Sequence, residues 1–517
     1  MTIHPPYWFA DMQDPSLQLL IEHQGKYGFL DVNLRGCKAG RIVLNTEIDG
    51  ERITFSYELK ERNHAEQEKE GFTQADVIYL LMPDRFGGSF EGIIRQLPYL
   101  ADLGVTALWL TPVQKAMSYH GYDTTDYYSV QEKLGTLQGY CKLVEKAHAL
   151  GLKVIMDMVF NHCGSRHPWM SNPPEEDWFN HPDGSLITNY RLTPTIDPYA
   201  SEVDLRQTVE GWFVKTMPDL NIRNARLLRY LTQCTKWWIE TAGIDGIRMD
   251  TFPYAAKEQM EQWLDELHGE YPGFHVVGET WVCNPAFTAK WQEGPLDSTM
   301  DFALFEAFNY AKYEDTTEWW NGMNRIYHVL CYDYLYPTPA MTMAFLDNHD
   351  VNRFLGKDTS SYAIMRLKAS LAILLTIPRI PQIYYGTEAL LGGTTEKSDN
   401  DIRQPFRIQE SSAPEAPDMH SFMRRILNWR KACQPVISGS MKHFIPFEGI
   451  YVIVRVKENH GVILIVNGRN AYSTFRHERY MEALPPEGIV RNVMTGRRIG
   501  IKKDIRLSPN RFILAEW

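Results

Sequence analysis

Ionisable side chains follow short apolar segments at four places in the chain. In the segment GIRMD, Arg248 and Asp250 lie two residues apart and share one face if the segment is a strand. Burying such charges is costly unless they are paired, so they form either a structural ion pair or part of a reactive site. The other clusters are Asp157, Asn161 and His162 in KVIMDMVFNH, Glu279 and Trp281 in HVVGETW, and Asp347, His349 and Asp350 in AFLDNHD.

Carboxyl groups that face one another in a cleft can cleave glycosidic bonds. One carboxylate must be ionised to attack the anomeric carbon, while the other must hold a proton near neutral pH. Arg248 would favour the ionised form of Asp250, which is therefore the predicted nucleophile. Glu279 is the predicted acid/base, because its apolar and aromatic surroundings would raise its pKa. Asp350 is predicted to stabilise the positive charge that develops at the anomeric carbon.

Structural roles are the ordinary alternative for each of these residues. A single Asp at the end of a strand is most often a helix cap or a turn residue, and a single His is more often structural. Four clusters in corresponding positions favour a functional site, because convergent ionisable groups mark such sites. We therefore expect His162 and His349 to form hydrogen bonds with sugar hydroxyls.

The elements that must position these side chains follow an alternating pattern. Eight apolar segments alternate with segments of helical periodicity, which predicts an α/β fold with a parallel sheet closed into a (β/α)8 TIM barrel. Active sites of such barrels lie at the carboxyl ends of the strands, where the four clusters fall. The predicted strands lie in DVIYLLMP, VTALWLTP, LKVIMDMVF, IDGIRMD, FHVVGETW, STMDFALF, TMAFLDNHD and RIPQIYYGTE.

Segments with alternating polar and apolar residues flank the predicted barrel. Residues 1–62 predict a small N-terminal β-sandwich-like domain, and a charged segment at 60–71 predicts a linker. The catalytic barrel is predicted over 72–434, with an inserted subdomain at 163–221 after the third strand. An insertion of this length in a compact domain is usually functional or a subdomain. Residues 435–517 predict a C-terminal antiparallel β-domain.

The composition excludes several classes of protein. The 517 residues are 44% hydrophobic and carry a formal net charge of −11 without a Lys/Arg-rich block, so nucleic-acid binding is not expected. The longest apolar run, at 371–378, is too short to span a bilayer, and no membrane association is expected. Seven scattered cysteines without a CxxC motif argue against a disulfide framework or a zinc site. With no visible signal peptide, we expect a cytoplasmic protein, or a periplasmic one if a leader was removed.

Taken together, the motifs resemble the α-amylase superfamily of retaining glycoside hydrolases. DMVFNH, GIRMDTFPY, VVGETW and FLDNHD resemble its four signature regions in order, and YHGYDTTDYY and IYYGTE resemble two further conserved blocks. The combination of MPDRF, SYHGY, MPDLN, GIRMDT and RIPQIYYG is most similar to the cyclomaltodextrinase and neopullulanase branch. That branch also carries an N-terminal β-domain.

The resemblance implies hydrolysis of α-1,4-glucosidic bonds, and leaves α-1,6 bonds open, in cyclodextrins, malto-oligosaccharides and pullulan. It implies the roles already inferred for the three carboxylates, with a covalent glycosyl-enzyme intermediate. Two alternatives stay open: transfer of the glycosyl group to another sugar, and a non-catalytic carbohydrate-binding relative, which the retained carboxylates disfavour. The implied substrate contacts are Tyr122 as a platform under the sugar, His120, His162, Arg248, His349, Trp281 on the leaving-group side, and Arg353.

Two features depart from the branch. The loop MPDRFGGSFEG lacks the Asp/Asn-rich oxygen ligands that usually hold calcium there, so no metal is expected in this loop. No cofactor is expected to be required, and calcium elsewhere stays open. Asn161 resembles a calcium ligand of some members and could equally stabilise a turn. The N-terminal β-domain is short for a branch in which this domain supports dimers, so a homodimer is a weak expectation. The expected partners are α-glucan oligosaccharides.

Overall fold

The N-terminal segment forms two three-stranded sheets. The computed structural model describes residues 1–62, 71–406 and 415–517, so most of the predicted linker at 60–71 lies outside the described residues. The strands are β1 (Thr2–His4), β2 (Trp8–Phe9), β3 (Ser16–His23), β4 (Lys26–Asn33), β5 (Gly40–Ile48) and β6 (Glu51–Lys60). The order is β1-β3-β4 in one sheet and β2-β6-β5 in the other. Side chains of β6 alternate between buried and exposed, as expected for a strand with one face on a core.

Eight parallel strands form the central barrel. They are β7 (Ile78–Leu81), β8 (Ala107–Leu110), β11 (Lys153–Met158), β12 (Gly246–Met249), β13 (His275–Gly278), β14 (Ser298–Thr299), β15 (Met343–Phe345) and β16 (Ile380–Tyr384), and a hairpin of β9 (Gln114–Ala116) and β10 (Thr124–Val130) follows β8. Their order is β14-β13-β12-β11-β8-β7-β16-β15. A parallel bridge between Met300 and Met343 joins the two ends of this sheet. The predicted (β/α)8 barrel is confirmed.

Helices surround the barrel, and capping residues at their ends fix where they begin and end. They are α1 (Phe90–Leu103), α2 (Leu137–His148), α3 (Glu202–Glu210), α4 (Ala225–Ala242), α5 (Lys257–Glu270), α6 (Pro285–Trp291), α7 (Phe302–Ala311), α8 (Met323–Cys331), α9 (Ser361–Leu374), α10 (Ala416–Ala432) and α11 (Gln434–Ser438). In α4, the Asn224 side chain accepts hydrogen bonds from the first backbone N–H groups, and Gly243 ends the helix in the left-handed conformation. The helix therefore ends just before β12, which carries Arg248.

The sixth strand is shorter than predicted. Only Ser298–Thr299 of the segment STMDFALF is a strand, and α7 begins at Phe302. The reason is Asp301, whose Oδ1 accepts the Leu304 backbone N–H at 2.9 Å and caps the helix. Its other oxygen pairs with the buried Arg379 guanidinium at 3.1 Å, which fixes the start of the helix against the barrel.

The C-terminal segment is an antiparallel β-domain, as predicted. Its strands are β17 (Ser440–Phe447), β18 (Ile450–Lys457), β19 (His460–Asn467), β20 (Ser473–Phe475), β21 (Ile489–Asn492), β22 (Arg498–Gly500), β23 (Ile505–Leu507) and β24 (Phe512–Glu516). Six of them form a sheet in the order β17-β18-β19-β24-β21-β22, and β20 pairs with β23. Buried side chains of this domain form a second apolar cluster of their own.

The N-terminal sheets pack on the outer side of the barrel through α4 and α5. The Gln18 backbone N–H donates to Gln233 Oε1, and Gln233 Nε2 donates to the Gln18 backbone carbonyl, both at 2.8 Å. Arg62 reaches between Glu240 of α4 and Glu270 of α5, with N–O distances of 2.7 Å to each carboxylate. This face of the barrel is therefore closed by the N-terminal segment. Within the described residues, no helix has the length and apolar character needed to cross a bilayer.

Candidate active site

A cavity of about 760 Å³ opens at the mouth of the barrel. Asp250, Glu279 and Asp350 all line it, and each follows the carboxyl end of its strand, β12, β13 or β15. The structure thus brings three carboxylates from separate strands to one place. Four of the predicted substrate contacts line the same cavity, namely Tyr122, His120, His162 and Trp281.

Arg248 connects the carboxylates from below. The register of β11 and β12 sets Asp157 beside Arg248, and both side chains are fully buried. The Nη1 atom of Arg248 lies 3.1 Å from Asp157 Oδ1 and 2.7 Å from Asp250 Oδ1, while its Nη2 lies 2.5 Å from Glu279 Oε1. One guanidinium therefore compensates three buried carboxyl groups, which explains why a buried strand carries opposite charges.

Thr251 links the same two cavity carboxylates. Its backbone N–H donates to Glu279 Oε2 at 2.9 Å, and its hydroxyl donates to Asp250 Oδ2 at 3.2 Å. The residue has φ of 46°, a conformation that is strained for a β-branched side chain and is typical of functional sites. Because Arg248 and Thr251 each contact both carboxylates, the pair is held close together. Retaining glycosidases also keep their two carboxyl groups close together, about 5 to 5.5 Å apart.

Asp350 lies between two basic side chains. Its Oδ2 is 3.1 Å from His349 Nε2, and its Oδ1 accepts a hydrogen bond from Arg403 Nη2 at 3.0 Å. Arg403 also donates to the His349 backbone carbonyl at 2.7 Å, which fixes the guanidinium against the loop. Sequence reasoning missed Arg403, because it lies in an irregular loop where no periodicity indicates its direction.

Tyr122 forms the floor of the cavity and stacks on His349, which lies beneath it. The two rings are stacked with centroids 5.4 Å apart and an interplanar angle of 6°. The Tyr122 hydroxyl donates to Asp157 Oδ2 at 2.8 Å and lies 2.6 Å from His349 Nε2. Asp157 also accepts a hydrogen bond of 2.9 Å from Trp109 Nε1. Asp157 thus positions both the aromatic floor and Arg248, a role that the sequence analysis did not assign.

The pKa values of the carboxyl groups are driven apart. Burial raises the pKa of Glu279 to about 8, with Arg248 opposing the shift and Asp250 and Asp350 adding to it. Burial acts on Asp350 in the same direction, but the neighbouring His349 and Arg403 side chains outweigh it and lower the pKa of Asp350. One carboxyl group is therefore protonated near neutral pH while another is ionised, which is the division that acid-assisted glycoside cleavage requires.

Three predicted substrate contacts do not line the cavity. Arg248 and His349 are fully buried beneath it and act through the carboxylates and Tyr122. Arg353 is also fully buried, and its guanidinium donates to the backbone carbonyls of Tyr385 and Ile402 at 2.6 and 3.1 Å. Two nitrogen atoms of Arg353 are therefore engaged behind the site, and its contact with substrate stays a prediction.

An aromatic wall from the inserted segment and the β12 loop completes the cavity. Phe213 stacks on His162 with centroids 5.3 Å apart and 14° between the planes. Tyr190 and Tyr254 meet the Phe213 ring edge-to-face. Sequence reasoning identified the insertion as functional but missed these residues, since a loop without periodicity gives no sign of which aromatic side chain faces the cavity.

The side chains at the possible calcium positions contact other protein groups. Asp84, in the loop after β7, faces cations, with the Lys133 ammonium at 3.2 Å and the Arg85 guanidinium at 3.6 Å. The Asn161 side-chain amide donates to His162 Nδ1 at 3.3 Å. Within the described part of the chain, no group of three or more His, Cys, Asp or Glu side chains is arranged to hold a metal.

Sequence comparison decides the family. The family described as alpha amylase, catalytic domain, matches residues 49–461, and the cyclo-malto-dextrinase C-terminal domain matches residues 441–516. The chain belongs to the α-amylase family. The motifs that suggested this family therefore lie in a catalytic domain of that type, and the branch resemblance extends to the C-terminal domain.

Individual relatives agree with this assignment. The chain is 32% identical to alpha-amylase 3 of Dictyoglomus thermophilum over 62% of its own length and 63% of the relative's. It is 28% identical to a cyclomaltodextrinase of Thermoanaerobacter pseudethanolicus over 74% of this chain and 64% of that one, and 28% identical to neopullulanase 2 of Thermoactinomyces vulgaris over 75% and 64%. Each match spans less than two thirds of the relative's length.

A solved structure shows the same architecture. The α-amylase of Geobacillus thermoleovorans, complexed with acarbose, superposes with a TM-score of 0.75 at 28% identity. The superposition covers 86% of this chain and 98% of that one. Most of this chain therefore follows the fold of a structurally characterised α-amylase.

Proposed function

We propose that the protein is a retaining glycoside hydrolase that cleaves α-1,4-glucosidic bonds in cyclodextrins, malto-oligosaccharides and pullulan, with α-1,6 bonds as a further target. The observation that carries the proposal is the pair Asp250 and Glu279, which share Arg248 and Thr251 as partners beside Asp350 in one cavity. The names of relatives among the cyclomaltodextrinases and neopullulanases support the substrate class.

In the first step, Asp250 Oδ attacks the anomeric carbon while Glu279 gives its proton to the departing glycosidic oxygen. The bond between the anomeric carbon and that oxygen breaks as the ester to Asp250 forms. Arg248 Nη1 lies 2.7 Å from Asp250 Oδ1 and holds the attacking carboxylate in place, while the raised pKa of Glu279 keeps that group protonated. Asp350 faces the cavity as an ionised group and stabilises the positive charge at the anomeric carbon.

In the second step, Glu279 removes a proton from water, which attacks the same carbon and releases Asp250. Two displacements at one carbon return the original anomeric configuration. Tyr122 supplies an aromatic face beneath the sugar during both steps, and His120 and His162 lie beside it to bond its hydroxyls.

Transfer to a sugar acceptor is a second candidate, favoured by one observation. Trp281 is 42% exposed, follows Glu279 by two residues, and is held flat against Phe302 with centroids 4.9 Å apart and 11° between planes. A rigid exposed indole beside the acid/base can hold an acceptor sugar where water would otherwise attack. Products longer than maltotriose from concentrated maltotriose would reveal this reaction.

The decisive assay measures sugar release from β-cyclodextrin, maltotriose, pullulan and starch. We expect cleavage of at least one of them, and Asp250→Asn should lower kcat/KM by about three orders of magnitude or more because the nucleophile is removed. Tyr362→Ala, an exposed change on α9, is the matched control and should retain activity. Absence of release from all four substrates, or near-normal turnover by Asp250→Asn, would contradict the proposal.

A cytoplasmic location is part of the proposal. All seven cysteines are unpaired, and three of them, Cys163, Cys234 and Cys433, are buried. Unpaired thiols in a chain of this size are typical of reducing compartments. A homodimer remains an expectation from the resemblance, which sedimentation of the purified chain would test.

A further inference from the structure

Arg85, in the motif MPDRF, joins three loops at the rim of the barrel. It lies in the loop after β7, and its guanidinium carbon is 4.4 Å from the ring centroid of Tyr119, in the turn between β9 and β10. Its Nη2 donates to Asn400 Oδ1 at 3.2 Å, in the loop after β16. The Arg85 carbonyl also accepts the Phe406 backbone N–H at 2.8 Å, further along that loop. A cation over an aromatic face is attracted to it, so Arg85 fixes the Tyr119 ring against the loop after β16.

The Tyr119 hydroxyl holds one corner of the Arg403 guanidinium. Arg403 Nη1 donates to this hydroxyl at 3.3 Å, while its Nη2 donates to Asp350 Oδ1 at 3.0 Å and its Nε to the His349 carbonyl at 2.7 Å. Each of the three nitrogens therefore has its own partner. A planar guanidinium that is held at all three nitrogens cannot turn without breaking hydrogen bonds. Tyr119 thus takes part in fixing the orientation that Arg403 presents to Asp350.

A second carboxylate competes for the same guanidinium. Asp399 lies four residues before Arg403, and its Oδ2 is 3.4 Å from Arg403 Nη2, the nitrogen that also bonds to Asp350. The side chain of Asp399 is 56% exposed, against 24% for that of Asp350. Because the guanidinium is rigid, a rotation that moves Nη2 from Asp350 to Asp399 also moves Nη1. Such a rotation breaks the bond to Tyr119, so this bond favours the pairing with Asp350.

Asp350 must be ionised to stabilise positive charge, and Arg403 is one of the groups that keep it so. Burial raises the pKa of Asp350, and neighbouring basic side chains more than offset it and lower this pKa below its ordinary value. The charged and titratable groups around Asp350, on all the elements that face it, are His349, Arg403, Arg248, His120, Tyr122 and Glu279. Displacement of Arg403 would raise the pKa of Asp350. As pH falls, activity would then be lost at a higher pH than in the wild type.

We propose that Tyr119 is a positioning residue: its hydroxyl, on a ring that Arg85 holds, keeps Arg403 on Asp350 and away from Asp399. The assignment rests on the proposed function, in which Asp350 stabilises the charge at the anomeric carbon. Tyr119 lines the catalytic cavity, whereas Arg85 is not part of its lining. A change at Arg85 therefore disturbs the ring without removing a group that faces the substrate.

Carbon-13 NMR of the full chain, labelled at the aspartate side-chain carboxyl carbon, tests this inference without turnover. The Asp350 resonance is the one lost in Asp350→Asn, and its shift against pH gives the titration midpoint. Tyr119→Phe removes a single oxygen atom, and we expect the midpoint to rise by about half a pH unit or more. Arg85→Met should move it in the same direction, and Arg85→Lys, which keeps a cation over the ring, should move it less. Tyr362→Phe and Arg95→Met, changes of exposed residues on α9 and α1, should leave it unchanged.

A double-mutant cycle with Asp399 tests the competition itself. In Asp399→Asn the competing charge is absent, so adding Tyr119→Phe should shift the Asp350 midpoint by about half as much as in the wild type, or less. Equal shifts with and without Asp399 would contradict the competition and overturn the inference.

Kinetics separate positioning from direct contact with the substrate. With maltotriose, Tyr119→Phe should lower kcat about tenfold, change KM by about twofold or less, and move the acidic limb of kcat/KM to higher pH. An Asp350 midpoint that is unchanged in both Tyr119→Phe and Arg85→Met would overturn the inference. A raised KM with an unchanged midpoint would also overturn it, because Tyr119 would then be a substrate contact. Absence of cleavage by the wild type would overturn the proposed function instead, while the NMR titration still decides whether Tyr119 positions Arg403.

Discussion

At the level of single residues, the site depends on how one buried guanidinium is shared. Arg248 has three carboxylate partners, and burial works against its charge at two of them. Glu279 and Asp157 keep raised pKa values, of about 8 and about 7, because burial outweighs the attraction. Glu279 can therefore hold the proton that a two-step displacement with acid assistance needs.

The pH dependence of kcat/KM follows from the pKa of Glu279. The general acid must be protonated, and its pKa is raised, so activity should be present below pH 8 and fall as pH rises through about 8. Glu279→Gln, assayed with α-maltosyl fluoride, whose leaving group needs no proton, should retain measurable glycosylation and lose this alkaline limb. An unchanged alkaline limb in Glu279→Gln would assign the titration to another group, of which Asp157 is the nearest candidate.

At the level of elements, strands could be predicted from the sequence where a long apolar run ends at charged residues. The segments around Asp157, Arg248 and Glu279 were predicted as strands because each apolar run ends at a charged residue. Active sites of (β/α)8 barrels lie at the carboxyl ends of the strands, so these charged residues were expected to meet at one mouth of the barrel. The sixth strand was predicted too long, because an apolar run of four residues does not distinguish a strand from a helix. Only the cap made by Asp301 distinguishes them in the structure.

Loops marked the limit of sequence reasoning. Arg353 lies in the loop after β15 and Arg403 in the loop after β16, and only Arg403 bonds to the Asp350 carboxylate, while Arg353 points behind the site. Neither backbone period nor composition indicates that difference, which depends on where tertiary contacts hold each loop. The wall around Phe213 was unpredictable for the same reason, although the length of the insertion pointed to a functional segment.

At the level of the whole molecule, the N-terminal segment is joined to the barrel by buried charge. Arg62 is only 9% exposed and is the bridge between two carboxylates that are 0% and 2% exposed, Glu240 and Glu270. Removing one partner from such a group leaves a buried charge unpaired. The free-energy cost of that unpaired charge exceeds the net stabilisation that the intact ion pairs gave. Packing of the two domains is therefore sensitive to a residue far from the active site.

Arg62→Met should lower the free energy of unfolding by about 3 to 5 kcal/mol, measured by urea denaturation with the transition of each domain followed separately. Adding Glu240→Gln and Glu270→Gln should recover part of the loss, because the uncompensated charges are then removed. A midpoint unchanged from wild type in Arg62→Met would show that these contacts do not join the domains.

The stereochemistry of hydrolysis tests the central claim most directly. Proton NMR of the sugar released in the first minutes from β-cyclodextrin or maltotriose distinguishes the two anomers before they equilibrate. Attack by Asp250, held close to Glu279 through Arg248 and Thr251, predicts that the α-anomer appears first. Initial release of the β-anomer would mean a single displacement by water and would contradict the account.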